Sequence, residues 1–316
     1  MNPRGWTAAF AAAALAGCTA APPVRQTGAA HPTIVSLNPC TDAILGEIAP
    51  PGQVLALSHY SRDPAASSMP VARAQRYGTT GGTVEEIAAL APDMVVASDF
   101  IAPATRAALT DMGIRVETFG IASTVTDSRA QVTRLAELTD RQREGAALNA
   151  RIAAAVAPVA DAPVSTVLWQ PGGIVPGDNT LATELMARAG LASLSVQRGL
   201  RQADYLSLER LTVDPPRLLL VAGNERGQRH PALREIPGME VARFDPSLLY
   251  CGGPTIIRAM KRLREIRAQL SPLPRAGGAG GGPATLSASL EVHPAATNFA
   301  VGEASLAAPP VNGRGG

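Results

Sequence analysis

The chain has 316 residues, enough for two lobes of ordinary domain size. Its formal net charge of +2 argues against a nucleic-acid footprint, which needs a marked basic excess. Aromatic residues make up only 3%, so cores must be built mainly from Val, Leu, Ile and Ala, and each aromatic beside a loop becomes informative.

The chain begins as an export signal. Arg4 gives a basic start, an apolar run follows from Phe10 to Ala16, and Leu15-Ala16-Gly17-Cys18 comes at once. The run is too short for a membrane-spanning helix, which needs about 20 apolar residues. The tetrapeptide resembles the lipobox of bacterial lipoproteins, which implies a signal peptide over 1–17, lipidation of Cys18 and a flexible tether over 18–31. An ordinary signal cleaved near Ala20 is the alternative. Acyl chains on Cys18 would anchor stably, at about 0.8 kcal/mol per buried methylene.

An N-terminal lobe is expected over 32–123. Its strands are Thr33–Leu37, Val54–Ser58, Met94–Ala97 and Val116–Phe119, and its helices Thr41–Ile48, Val84–Leu90 and Ala104–Met112. Strand alternates with helix, which predicts a parallel sheet covered on both faces. A linker helix is expected over 124–158. From Asp127 to Val156 the segment holds no proline and carries apolar residues at Val132, Leu135, Leu138, Leu148, Ile152 and Val156. As one rod it would be roughly 45 Å long, with Gly145 inside at a cost of about 1 kcal/mol relative to Ala.

A C-terminal lobe is expected over 159–271, with strands Thr166–Trp169, Leu218–Ala222 and Val241–Phe244 and helices Leu181–Ala189, Leu208–Val213 and Thr255–Leu270. It repeats the first. Glu85-Glu86-Ile87 with Pro92-Asp93-Met94-Val95-Val96 is matched by Glu209-Arg210-Leu211 with Pro216-Arg217-Leu218-Leu219-Leu220, both at an offset of 124, and Gly113-Ile114-Arg115-Val116 is matched by Gly238-Met239-Glu240-Val241 at 125. Such register over more than thirty residues reads as a duplicated unit. From 272 to 316 Pro, Gly, Ala and Ser dominate without period, the composition of a disordered tail.

Ligands of open parallel sheets bind beyond the carboxyl ends of the strands. Those ends supply Asn38, Cys40, Thr41, His59, Tyr60, Arg62 and Asp99 from the first lobe. The second supplies Trp169, Gln170, Gly172, Asn224, Arg226, Tyr250 and Cys251. Scarce aromatics at such positions suggest a cleft floor for a large planar ligand; singly, each could equally close its own lobe's core.

Ile34-Val35-Ser36-Leu37-Asn38-Pro39, the Leu57-Ser58-His59-Tyr60-Ser61 turn, the Glu85–Val96 block and Gly177-Asp178-Asn179-Thr180-Leu181 resemble the periplasmic binding proteins that deliver vitamin B12, haem or ferric siderophores to ABC importers. The likeness covers about residues 32–270. It implies an α/β fold of class III type, two doubly wound parallel-sheet lobes joined by one long backbone helix. A corrinoid, haem or ferric-siderophore ligand is expected in the cleft, held by Asn38, Cys40, Tyr60, Arg62, Trp169, Gln170, Tyr250 and Cys251. Tyr60 falls where B12 binders of the family place a ring-contacting tyrosine, whereas Asn38-Pro39-Cys40-Thr41 departs from the usual Ser-Pro-Ser or Ser-Pro-Ala. The expected partners are a permease and its ATPase, with a monomer touching the membrane through its anchor alone and binding no nucleic acid.

Glu85 and Glu209 each lie in the first turn of their repeat helix, behind Thr83 and Ser207 as caps, with Thr83-Val84-Glu85-Glu86 fitting a capping box. The helix dipole alone favours an acid there by about 0.3–1 kcal/mol. The resemblance implies instead that the two meet arginines on the permease. Cys40 and Cys251 rank first as pocket-lining thiols, second as a disulfide, last as metal ligands with His59. His31, His230 and His293 have no partner at metal-ligand spacing, and no nucleophile elbow, phosphate loop or paired-carboxylate motif occurs. The expectation is a binding protein with no catalytic residue, metal or cofactor. The rival is an exported thiol oxidoreductase using Cys40 and Cys251.

Overall fold

A computed structural model describes residues 30–160 and 162–270. The expected signal peptide, Cys18, most of the tether and the 272–316 tail lie outside the described residues. The first half runs β1 (Ile34–Ser36), α1 (Pro39–Ile48), β2 (Val54–Ser58), α2 (Val71–Ala74), β3 (Gly78–Thr80), α3 (Val84–Leu90), β4 (Met94–Ser98), α4 (Pro103–Asp111) and β5 (Arg115–Phe119). Its five strands form one parallel sheet in the order β3-β2-β1-β4-β5.

After α5 (Val125–Leu138) and α6 (Gln142–Ala155), the second half runs β6 (Val164–Trp169), β7 (Ile174–Val175), α7 (Leu181–Arg188), β8 (Leu191–Ser193), α8 (Leu194–Gln197), β9 (Asp204–Tyr205), α9 (Leu208–Val213), β10 (Leu218–Val221), β11 (Glu240–Arg243) and α10 (Thr255–Gln269). Its parallel sheet has the order β11-β10-β6-β8, and β7 pairs with β9 in a separate antiparallel ribbon. The repeated blocks take the same place in both sheets. β4 lies between β1 and β5 behind α3, and β10 lies between β6 and β11 behind α9.

Strand alternation sorts the core into three clusters. Val35 and Val95 face Ile87 of α3 and Leu109 of α4. Val167, Trp169, Leu219 and Val221 face Leu211 of α9 with Leu233 and Ile236. The opposite faces of both sheets, through Ile34, Val96, Leu168 and Leu220, enter one continuous cluster with α1, α5, α6, α7 and α10. The two halves therefore share a core.

The expected single rod from Asp127 to Val156 is a pair of helices in contact, α5 and α6, and this corrects the sequence reading. No proline breaks it. Asp140 adopts a left-handed φ of 54°. Arg141 N–H donates to the Ala136 carbonyl (2.7 Å) and Asp140 N–H to the Glu137 carbonyl (3.3 Å). These are the two bonds of a Schellman stop, built on an aspartate where glycine is usual. The apolar positions read from the sequence remain the buried ones: Val132, Leu135, Leu148, Ile152 and Val156 all enter the shared core.

Gly145 now has a packing role. A Cβ there would collide with the Cβ of Ala136 on α5, so the missing side chain sets how closely the two helices approach. Gly145→Ala is expected to lower the unfolding free energy by about 1–3 kcal/mol through overpacking, although alanine is the better helix former by about 1 kcal/mol. Urea denaturation gives the sign, and a gain in stability would mean that the helices lie farther apart.

Candidate functional site

The loops after β1, β4, β5 and β6 converge, with the segment before α10, on a cavity of about 420 Å³, within the range of small-molecule sites. From the first half come Asn38, Cys40, Ser98, Phe100 and Phe119–Ser123; α5 adds Gln131. The second half supplies Gln170, Ile174, Pro176, Thr180–Ala182, Gln202, Ala203 and Leu249–Gly252. No Asp, Glu, Lys, Arg or His is among these wall residues. Four carboxamides are: Asn38, Gln131, Gln170 and Gln202.

Local structure accounts for the placement. Asn38 caps α1 by accepting the Cys40 N–H at 2.9 Å, which leaves its amide nitrogen for a ligand. Gln131 Nε2 donates to the Gly120 carbonyl at 2.8 Å. Gly177 brings Gln202 and Ala203 inward, since a Cβ on Gly177 would run into the backbone of Arg201 and Gln202.

Cys40 and Cys251 form a disulfide with a Cα–Cα distance of 5.1 Å. The ranking that put free pocket-lining thiols first is thereby corrected. The bonded pair still lines the cavity, and it ties the start of α1 to the segment before α10. Other contacts fasten the same segment to the first half and to α5: Ser68 Oγ donates to the Ser247 carbonyl (2.6 Å) and Gly253 N–H donates to Ser128 Oγ of α5 (2.6 Å). The bond therefore adds to contacts that already hold this segment in place.

Of the eight expected ligand contacts, Asn38, Cys40, Gln170, Tyr250 and Cys251 line the cavity and three do not. Trp169 is buried in the core of the second half, its Nε1–H donating to the Leu206 carbonyl at 2.8 Å. Its parity in β6 follows Val167, so it points away from the shared core into the cluster behind α9. Tyr60 is 52% exposed, and its ring lies against that of His59 at a tilt of 36° with centroids 4.0 Å apart. Arg62 donates to the Tyr77 carbonyl at 2.7 Å. Both belong to a 3-10 turn after β2, and β1 separates β2 from β4 in the sheet, which keeps that turn off the wall. Sequence reasoning missed Phe100, Ile121, Ile174 and Gln202. Exposed Phe100 and Ile121 follow the ends of β4 and β5, so the strand-end rule had the means to find them.

Beneath this turn lies Asp42 of α1, fully buried. It accepts the Ser58 N–H (3.0 Å) and the Ser61 O–H (2.5 Å) on one oxygen. Its Oδ1 has no partner among the described residues. Burial pushes the carboxyl up to about 7, against the bonds from Ser61 and Ser58 that favour the charged form. Below about pH 3.8, the carboxyl's ordinary value, folded and unfolded chains are both protonated. Between there and about 7 the unfolded chain alone loses the proton, so stability falls across this window and levels off above it. Asp42→Asn is expected to flatten that fall in thermal unfolding measured against pH; an unchanged slope would assign it to other groups.

Glu85 and Glu209 are exposed at the second positions of α3 and α9. Thr83 and Ser207 cap those helices. The expected capping box is not closed by Glu86, whose Oε2 instead accepts from the Thr80 O–H (2.6 Å) and the Gly81 N–H (2.6 Å). Those bonds hold the Glu86 carboxyl below its usual range, and a hydrogen bond from Ser207 does the same for Glu209. Among the described residues no cluster of three or more His, Cys, Asp or Glu could hold a metal ion.

The sequence profile of the periplasmic binding proteins matches residues 34–239, well over half the chain. The chain belongs to the periplasmic binding protein family. Its members bind solutes outside the cytoplasm. Solved structures agree on the fold. The periplasmic haem-binding protein HutB of Vibrio cholerae matches with a TM-score of 0.61 at 17% identity, covering 74% of this chain and 98% of its own. A possible iron-binding protein of Staphylococcus epidermidis matches with 0.60 at 16%, covering 74% and 98%. The vitamin B12-binding protein BtuF of Vibrio cholerae matches with 0.55 at 15%, covering 76% and 98%. No curated protein matches this periplasmic binding protein significantly in sequence.

Proposed function

We propose that this periplasmic binding protein is the substrate-binding component of an ABC importer. It is anchored through lipidated Cys18, takes a corrinoid or an iron complex into the cavity between its halves, and presents it to the permease and ATPase through Glu85 and Glu209. The observation that carries the reading is the cavity, walled from both halves at the carboxyl ends of the strands and free of charged side chains. Such a wall opposes burial of a multiply anionic ligand. Carboxamides offer both donors and acceptors to a neutral one. This favours a corrinoid, with its uncharged amide arms, over haem or a ferric catecholate, whose anionic groups would have to stay in solvent. Phe100, Ile121, Ile174 and Tyr250 supply apolar surface for a ring system.

The test is to mix the purified protein with cobalamin, haemin and ferric chelates and follow visible spectra and calorimetric heats. Saturable cobalamin binding, tighter than haemin, is the expected result. If none of them binds, the reading fails. If the protein instead turns over a dithiol substrate and loses that activity on Cys40→Ser, the oxidoreductase reading takes its place.

A further inference from the structure

A second, smaller cavity of about 150 Å³ opens where α1, the 68–73 segment, α6 and α10 meet. It has room for about five water molecules, the scale of a small polyatomic ion. Three guanidinium groups line it, from Arg73, Arg151 and Arg258, with one carboxylate, Glu47. Both Glu47 oxygens are engaged, Oε1 by Arg73 at 2.5 Å and Oε2 by Arg151 at 3.0 Å. Arg258 joins no ion pair among the described residues and donates to the Ser68 carbonyl. Burial lowers its affinity for its proton, Asp245 and Glu47 act against that, and Arg73 adds to it. Even counting Asp245, positive charge is in excess around a partly desolvated guanidinium, where an unpaired charge is costly.

We propose that this cavity binds a tetrahedral oxyanion of the phosphate class, held chiefly by Arg258 with Arg73 and Arg151 beside it. Guanidinium forks match the oxygen spacing of such an anion, and each charge-assisted bond is roughly twice as strong as a neutral one. The bound anion would connect α10 of the second half to α1 and the 68–73 segment of the first and to α6 between them. It would therefore stabilise the packing of the halves without entering the larger cavity. The anion could be free phosphate or the phosphodiester headgroup of a lipid, and the two share this chemistry.

The experiment titrates the purified protein, in phosphate-free buffer, with inorganic phosphate in one arm and glycerophosphorylglycerol in the other. Calorimetry and thermal unfolding are the readouts, with sodium chloride at matched ionic strength as control. Saturable binding with a rise in Tm is expected, weakened at least about tenfold by Arg258→Gln. A preference for phosphate points to the free ion, and a preference for the diester to a headgroup. Arg151→Gln, at a more exposed site, serves as a second variant should Arg258→Gln fail to fold. Absence of saturable binding in both arms, or binding unaltered by the variants, overturns the proposal.

Discussion

Cys251→Ser is expected to lower the unfolding free energy by about 2–5 kcal/mol and to weaken ligand capture several-fold. The bond spans a sequence separation of 211, and cross-links that close long loops restrict the unfolded chain most in the chain-entropy account. The effect on capture has a separate origin. Leu249, Tyr250, Cys251 and Gly252 form one side of the cavity, and the bond holds that side against Asn38 and Cys40 at the start of α1. Without it, the bonds from Ser68 to Ser247 and from Gly253 to Ser128 remain, so the wall should loosen rather than detach. Since one bond is at stake, Cys40→Ser and the double variant should fall to the same level as Cys251→Ser, a non-additive cycle. Urea unfolding and cobalamin titration, with and without reductant, provide the check. Additive losses, or no response of the wild type to reductant, would show that the bond carries neither effect.

The duplicated architecture was legible in the sequence because both of its signals are local. Buried parallel strands are short apolar runs, and the α3–β4 block recurs as α9–β10 at a fixed offset. The Schellman stop between α5 and α6 was not, because Asp140 occupies a left-handed position that glycine usually marks and the helical periodicity continues on both sides of it. At the cavity, the strand-end rule found residues following β1 and β6 but could not distinguish Tyr60 from Asn38, since sheet order decides which ends adjoin. Trp169 failed for a different reason. Being at a strand end does not say which face of the sheet receives the side chain, and counting alternation from Val167 assigns it to the core. The disulfide needed tertiary structure, because nothing local brings Cys40 within reach of Cys251.

Reversing both Glu85 and Glu209 to arginine is expected to abolish uptake while leaving cobalamin affinity unchanged. Each residue is exposed at the second position of an equivalent helix, α3 before β4 and α9 before β10, and neither lines the cavity. Each reversal forfeits a favourable helix-dipole interaction, about 0.3–1 kcal/mol at an exposed site, and at Glu209 also the hydrogen bond from Ser207, losses too small to unfold a domain of ordinary stability. A paired anionic contact with permease arginines is another matter, since like-charge juxtaposition at an interface costs several kcal/mol. Single reversals should therefore impair uptake and the double should eliminate it. Glu86 supplies the control: it neighbours Glu85, but its carboxylate is occupied by Thr80 and Gly81, so Glu86→Gln should cost stability more than transport. Transport into cells carrying the variant protein, set beside cobalamin titration of the purified protein, separates the outcomes. Uptake that survives the double reversal would remove the docking role, and lost affinity would place the two glutamates in ligand binding instead.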